Sequence, residues 1–174
     1  SMGSFCAAVV LFASLLVGTW NLRWFPGGEA ASNPLVAPVA RQREEARQMA
    51  QAATVVRKGL CGRGTNEHAV LFLQEVRDEA ACTNLLAQIG AASGLRLACV
   101  SKFEVAKGRA GLQQDCILTD LPILDAGWSG WRWPRGTKNT DRTLLPPRGY
   151  AFAAVVVDPA TTANVYAVHL KSNY

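Results

Sequence analysis

The apolar run Val70-Leu71-Phe72-Leu73, which ends in Gln74-Glu75-Val76-Arg77-Asp78, constrains the fold more than any other stretch of this chain. Consecutive large apolar residues bounded by polar ones read as a fully buried strand. At 174 residues the chain is long enough to cover such a strand within one domain and to build a real core around it. The strand also delivers Glu75 to its end. Two readings of that glutamate are open here: a solvated residue where a strand stops, or a side chain presented to a ligand at the mouth of a sheet.

The order of elements narrows the class. Residues 15–25 (LLVGTWNLRWF) read as a strand ending at polar Asn21 and an aromatic cluster, followed by a Pro/Gly/Ser-rich loop. Residues 39–58 read as a helix with Val39, Ala46, Met49, Ala53 and Val56 on one face, stopped by Gly59. After the strand at 69–75, Asp78 can cap a second helix over 79–93 with Leu85, Leu86 and Ile89 inward, ended by Gly94. From there the pattern turns to strands. LRLACVSKF and LQQDCILTDLPIL pair across the turn GRAG. Residues 125–149 form a polar and aromatic excursion. YAFAAVVVDP and TANVYAVHLKSNY then join through Asp158-Pro159-Ala160-Thr161. The sum is an α/β domain with a mixed β-sheet and flanking helices.

Composition excludes a disordered chain: half the residues are apolar and 18% are charged. The net charge of +5 suits a polyanion such as nucleic acid or a phospholipid surface, and equally suits an ordinary basic protein. Cysteines at 6, 61, 82, 99 and 116 show no CxxC spacing, so zinc is not indicated. Cys99 and Cys116 read as buried free thiols, and Cys61 and Cys82 could pair in an exported protein. Ser1-Met2 reads as a cloning remnant. Phe5 to Val17 is too short for a comfortable membrane span, and no transmembrane segment is expected. The run resembles the apolar part of an export signal without its preceding Lys or Arg. Residues 1–14 are therefore read as remnant, pointing to a periplasmic or secreted location, and Leu15 as the start of the first strand.

TWNLRWF near the start, LFLQEVRD in the middle and VYAVHLKSN near the end, in this order, resemble the endonuclease/exonuclease/phosphatase superfamily with its deoxyribonuclease-I-like fold. QDCILTDLPIL and RGYAFAAVVVD resemble intervening strands of that family. The resemblance implies a four-layer α/β/β/α sandwich and hydrolysis of phosphoesters with Mg²⁺ or Mn²⁺. It implies Glu75 as metal ligand, since a hard cation takes carboxylate and water oxygens. Asn21 would orient Glu75, a water or a phosphate oxygen. His169 would contact the scissile phosphate or assist proton transfer, as imidazole can near neutrality. Read without the resemblance, His169 equally well ends a strand with a hydrogen bond. Arg148 falls where the family contacts phosphate, and a guanidinium forks onto phosphate oxygens; a solvated arginine in a Pro-rich turn is the other reading. Gln114 falls where the family often places a polar residue facing the site, and His68 matches no motif. Trp131, Arg132, Arg135 and Lys138, in WSGWRWPRGTK, suit either a grip on nucleic acid or tryptophans anchoring a loop.

The sequence departs from the family in lacking a Gly-Asp-x-Asn and a Ser-Asp-His segment. Residues 15–174 are thus expected to be an N-terminal portion of the domain. Its sheet would need cover by the C-terminal portion or by a second copy, because exposed apolar sheet faces find partners. The function expected is a metal-dependent phosphoesterase, a nuclease first, with a general base supplied from outside this stretch. The alternatives are a non-catalytic module of the same fold that docks nucleic acid, membrane or a protein, and a lipid or sugar-phosphate phosphatase.

Overall fold

A computed structural model describes residues 15–28, 33–64, 67–106, 109–130 and 149–169. A four-stranded mixed sheet has the order β1-β2-β6-β3. β1 (Leu15–Phe25) runs parallel to β2 (His68–Val76), and β6 (Gln114–Thr119) lies antiparallel to both β2 and β3 (Arg96–Val100). The unbroken apolar run of β2 has a direct cause. Leu71 and Leu73 face a cluster shared with the helices, while Val70 and Phe72 face a cluster shared with a second sheet. A strand covered on both faces has no polar side to show, so it does not alternate.

Two helices cover the first face. In α1 (Pro38–Leu60), Met49, Ala52, Ala53 and Val56 are buried, whereas Val39 and Ala46, expected on the same face, are exposed. The apolar stripe belongs only to the second half of the helix, because the first half carries polar residues that bind strand ends instead. α1 also runs through Gly59 to Leu60. α2 (Glu79–Ile89) starts as expected, with Asp78 Oδ1 accepting from Ala81 N at 2.8 Å. It ends earlier than expected, at Gly90 (φ 94°), and a 3₁₀ turn over Ala91–Ser93 leads to Gly94 (φ 70°). Positive φ at Gly90 stops the helix before Gly94 is reached.

The stretch LQQDCILTDLPIL is two strands, not one. β6 ends at Thr119 and β7 (Ile123–Gly130) pairs in a second, antiparallel sheet of order β7-β8-β9. The chain changes sheets at Asp120-Leu121-Pro122. Asp120 Oδ1 accepts from Ala69 N and Oδ2 from Arg63 Nη1, and Thr119 Oγ1 donates to Ala69 O. Pro122 has no N–H to continue a ladder. β7 thereby takes up residues 125–130, read from sequence as the start of the excursion. β8 (Gly149–Asp158) and β9 (Thr161–Val168) complete the sheet, joined by the expected turn, where Ala160 N donates to Asp158 Oδ1. A short hairpin, β4 (Glu104–Ala106) and β5 (Arg109–Ala110), lies between β3 and β6.

The described layers are therefore helices, mixed sheet, antiparallel sheet. Ala151, Ala153, Val155 and Ala167 meet Val70, Cys99 and Ile117 between the two sheets. The other face of the second sheet carries an aromatic cluster of Tyr150, Phe152 and Tyr166, with Tyr166 55% exposed. Gly127 opens room for Phe152, whose ring lies 3.0 Å from where a Cβ would stand. Among the described residues no helix is long and apolar enough to cross a membrane.

Cys61, Cys82, Cys99 and Cys116 are free thiols, so the Cys61–Cys82 pairing does not occur: Cys61 is exposed beyond α1 and Cys82 is buried on the inner face of α2. Burial pushes the Cys99 thiol up to about 11, and burial with the neighbouring Cys82 raises Cys116 as well. Thiolate is the reactive form, so high pKa and burial act together. At pH 8 a thiol reagent is expected to label Cys61 in the native chain and the other three only after denaturation, as followed by peptide mass spectrometry. Labelling of Cys116 at the rate of Cys61 would contradict this packing.

Candidate functional site

The sheet register breaks where β1 and β2 end. Asn21 pairs with Gln74 and Phe25 pairs with Val76, so Leu22, Arg23 and Trp24 stand opposite Glu75 alone. On the other side of β2, Gln74 and Glu75 stand opposite Asp115, between the pairs Leu73–Cys116 and Val76–Gln114. Glu75 thus lies in a bulge against both neighbours. Among the described residues, those with positive φ other than glycine are all here: Arg23 (50°), Trp24 (60°) and Glu75 (59°). Each costs about 1 kcal/mol or more relative to ordinary backbone. Bulges re-aim side chains beside functional sites, and backbone strain collects there.

The result is a small polar cluster. Asn21 Nδ2 donates to Glu75 Oε1 at 3.1 Å, and the backbone N–H of Trp24 donates to Glu75 Oε2 at 3.2 Å. Asn21 Oδ1 accepts from Arg23 N at 2.9 Å, which fixes the orientation of its amide. His169, directly after β9, brings Nε2 to 3.5 Å from both Asn21 Nδ2 and Glu75 Oε1. A neutral Nε2 can accept from Asn21, while a protonated one can donate to Glu75, so the ring's proton selects its partner. The Glu75 and His169 side chains are 13% and 20% exposed, and Asn21 is exposed. The cluster lies on the seam between the sheets, with one member from the second sheet and two from the first.

The three strand ends read from sequence are thus brought together. Gln114 is not part of the cluster. It is 2% exposed and its amide is used up by structure: Oε1 accepts from Ser101 Oγ and Phe103 N, and Nε2 donates to Phe103 O and Gly111 O. It ties the base of the β4–β5 hairpin, so it does not face the site. Gln74 likewise points into the fold, donating to Thr19 Oγ1 at 3.0 Å. His68 lies at the opposite end of β2, near Asp120. Arg148, Trp131, Arg132, Arg135 and Lys138 lie outside the described residues. Asp115, buried at the register position opposite the bulge, is an acid that the sequence reading passed over. Its place inside a strand of buried residues was the available signal.

Among the described residues no three His, Cys, Asp or Glu side chains form a metal-holding group. Zinc takes three or four such ligands, whereas Mg²⁺ is held by one or two carboxylates and keeps several waters. Each Glu75 oxygen accepts one hydrogen bond, leaving lone pairs for a further contact. The donor set therefore fits a hard, hydrated cation.

No protein-family description, curated protein or solved structure matches this chain.

Replacing Gln114 with alanine would leave Phe103 N and Gly111 O without a partner and the Ser101 hydroxyl without its acceptor in a buried place, while Phe103 O keeps the Gly111 N–H. Urea unfolding of Gln114→Ala is expected to show a loss of about 2–4 kcal/mol. A change below about 0.5 kcal/mol, the size of an ordinary surface substitution, would contradict the assignment of Gln114 to structure.

Proposed function

We propose that this chain belongs to a metal-dependent phosphoesterase of deoxyribonuclease-I-like type, with nucleic acid phosphodiesters as substrate. The observation that carries the reading is the meeting of Asn21, Glu75 and His169 at a strained double bulge, remote in sequence and within 3.5 Å of one another. The ordered motifs around these residues support it. On this reading the aromatic outer face of the second sheet, Tyr150, Phe152 and Tyr166, is where a fourth layer of the sandwich would pack.

Glu75 would hold Mg²⁺ or Mn²⁺, with Asn21 and the Trp24 N–H fixing its carboxylate. When bound, the cation would neutralise phosphate charge and stabilise the leaving oxygen. Asn21 Nδ2 and His169 Nε2 would both donate to a phosphate oxygen. His169, protonated, can also give its proton to the leaving oxygen as water forms the new P–O bond and the old ester bond breaks. The net charge of +5 favours a polyanionic substrate. Phosphate contacts from Arg148 and the Trp131–Lys138 loop belong to the same proposal.

The single carboxylate of the cluster also favours a second reading, a module of this fold that binds nucleic acid without cutting it. Mn²⁺ titration followed by electron paramagnetic resonance, with supercoiled plasmid as substrate, separates them. Glu75→Gln is expected to weaken Mn²⁺ binding by about tenfold or more. Mn²⁺ binding that is unchanged in Glu75→Gln would overturn the metal site. Plasmid binding that is unchanged in Glu75→Gln and in the absence of Mn²⁺ would favour the binding module.

A further inference from the structure

The first half of α1 is exposed on its apolar positions and occupied on its polar ones. Gln48 Oε1 accepts from Gly27 N at 2.9 Å, and Gln48 Nε2 donates to Glu44 Oε1 at 2.9 Å. Three residues away, Glu45 Oε1 accepts from Arg77 Nη1 at 2.8 Å. One helix face therefore grips both strand exits beside the candidate site: β1 through Gly27, and β2 through Arg77. The fit at Gly27-Gly28 is close. Gly28 has φ 57°, and a Cβ there would stand 3.0 Å from Gln48 Nε2.

This grip bears on Glu75. Between Asn21 and Gly28 the backbone takes positive φ at Arg23, Trp24, Gly27 and Gly28. Neither Arg23 nor Trp24 favours that conformation, so the segment must be held from both ends. At the near end Asn21 Oδ1 holds Arg23 N. At Phe25 the main chain is held by Arg77 N, which donates to Phe25 O at 2.7 Å. At the far end the hold is the Gln48 side chain, itself fixed by Glu44 one helical turn earlier. The product of this tension is the Trp24 N–H aimed at Glu75 Oε2.

We infer that Gln48 is a positioning residue for Glu75, acting through Gly27 and the Trp24 backbone N–H, with Glu44 orienting its amide. Its cation readout rests on the metal site proposed above; its backbone readout does not. Losing the Gly27 contact frees the loop to leave the strained conformation, and the Trp24 N–H then turns from the carboxylate. Glu75 keeps its charge but loses one of the two donors that fix it. Groups that orient a metal ligand typically matter about tenfold to a hundredfold in metal affinity.

The test uses the whole chain, with Mn²⁺ alone as probe, and reads both Mn²⁺ affinity and amide hydrogen exchange. Gln48→Ala and Gln48→Met, the second keeping the length without an acceptor, are each expected to speed exchange at the Trp24 and Gly27 amides by about tenfold, with exchange in β2 and β6 unchanged, and to weaken Mn²⁺ binding by about tenfold. The exchanged pair Glu44→Gln/Gln48→Glu retains an acceptor for Gly27 and reverses the side-chain hydrogen bond, and it is expected to restore both. Unchanged Trp24 exchange in the single variants overturns the inference, as does an exchanged pair that restores nothing. If wild-type Mn²⁺ binding does not depend on Glu75, the metal site fails, and Trp24 exchange alone still decides the role of Gln48.

Discussion

The site depends on one departure from regular sheet geometry: three residues of β1 set against Glu75 alone. In an unbroken ladder, Glu75 would follow the alternation of β2 and Asn21 would stay one register step away. The bulge turns Glu75 into a left-handed conformation, places its carboxylate between the Asn21 amide and the Trp24 N–H, and opens it toward His169 from the other sheet. Such backbone is unfavourable by about 1 kcal/mol or more at each of the three residues. The surroundings offset it. Val70, Leu73, Ile117 and Leu118 are at most 2% exposed, and each buried side chain of this size contributes about 1.5–3 kcal/mol. A strand buried on both faces is rigid enough to hold a strained end.

The two helices have different tasks. α2 closes the core with Ala81, Cys82, Leu85 and Ile89 behind an aspartate cap. α1 divides along its length: its second half packs on the sheet through Met49, Ala52, Ala53 and Val56, and its first half meets the strand exits through Glu45 and Gln48. Arg77 joins these parts, bonding Glu45 on one side and the capping Asp78 on the other. Core packing and site geometry are thus coupled through a few polar contacts rather than through the core alone.

Much of this was legible in the sequence, for physical reasons. The run Val70–Leu73 announced a doubly covered strand because no polar residue interrupts it. Asp78 announced a helix because its carboxylate can reach a free N–H. The meeting of Asn21, Glu75 and His169 was an expectation from the family resemblance rather than from local pattern, and the three side chains do lie within 3.5 Å of one another. Other features left no local signal. Arg23, Trp24 and Glu75 carry no glycine to mark their positive φ, since the surrounding fold imposes it. Val39 and Ala46 have helical spacing but are exposed among the described residues. The switch of sheets at Asp120–Pro122 is hidden within one apolar run, and its cause is a set of bonds to Ala69 and Arg63 from elsewhere in the chain. Gln114 at the start of β6 and Gln48 within α1 are both polar; only geometry tells that the first ties a hairpin and the second bonds the loop after β1.

On the function proposed above, the double bulge holds Glu75 between Asn21 and His169 to receive a hydrated cation. A crystal structure of the chain grown with Mn²⁺, with anomalous scattering recorded at the manganese edge, tests it most directly. An anomalous peak is expected at the Glu75 carboxylate, with Arg23 and Trp24 in the left-handed conformation and the Asn21 and His169 side chains beside it. A peak elsewhere in the molecule, with Glu75 turned away from Asn21 and His169, would contradict it.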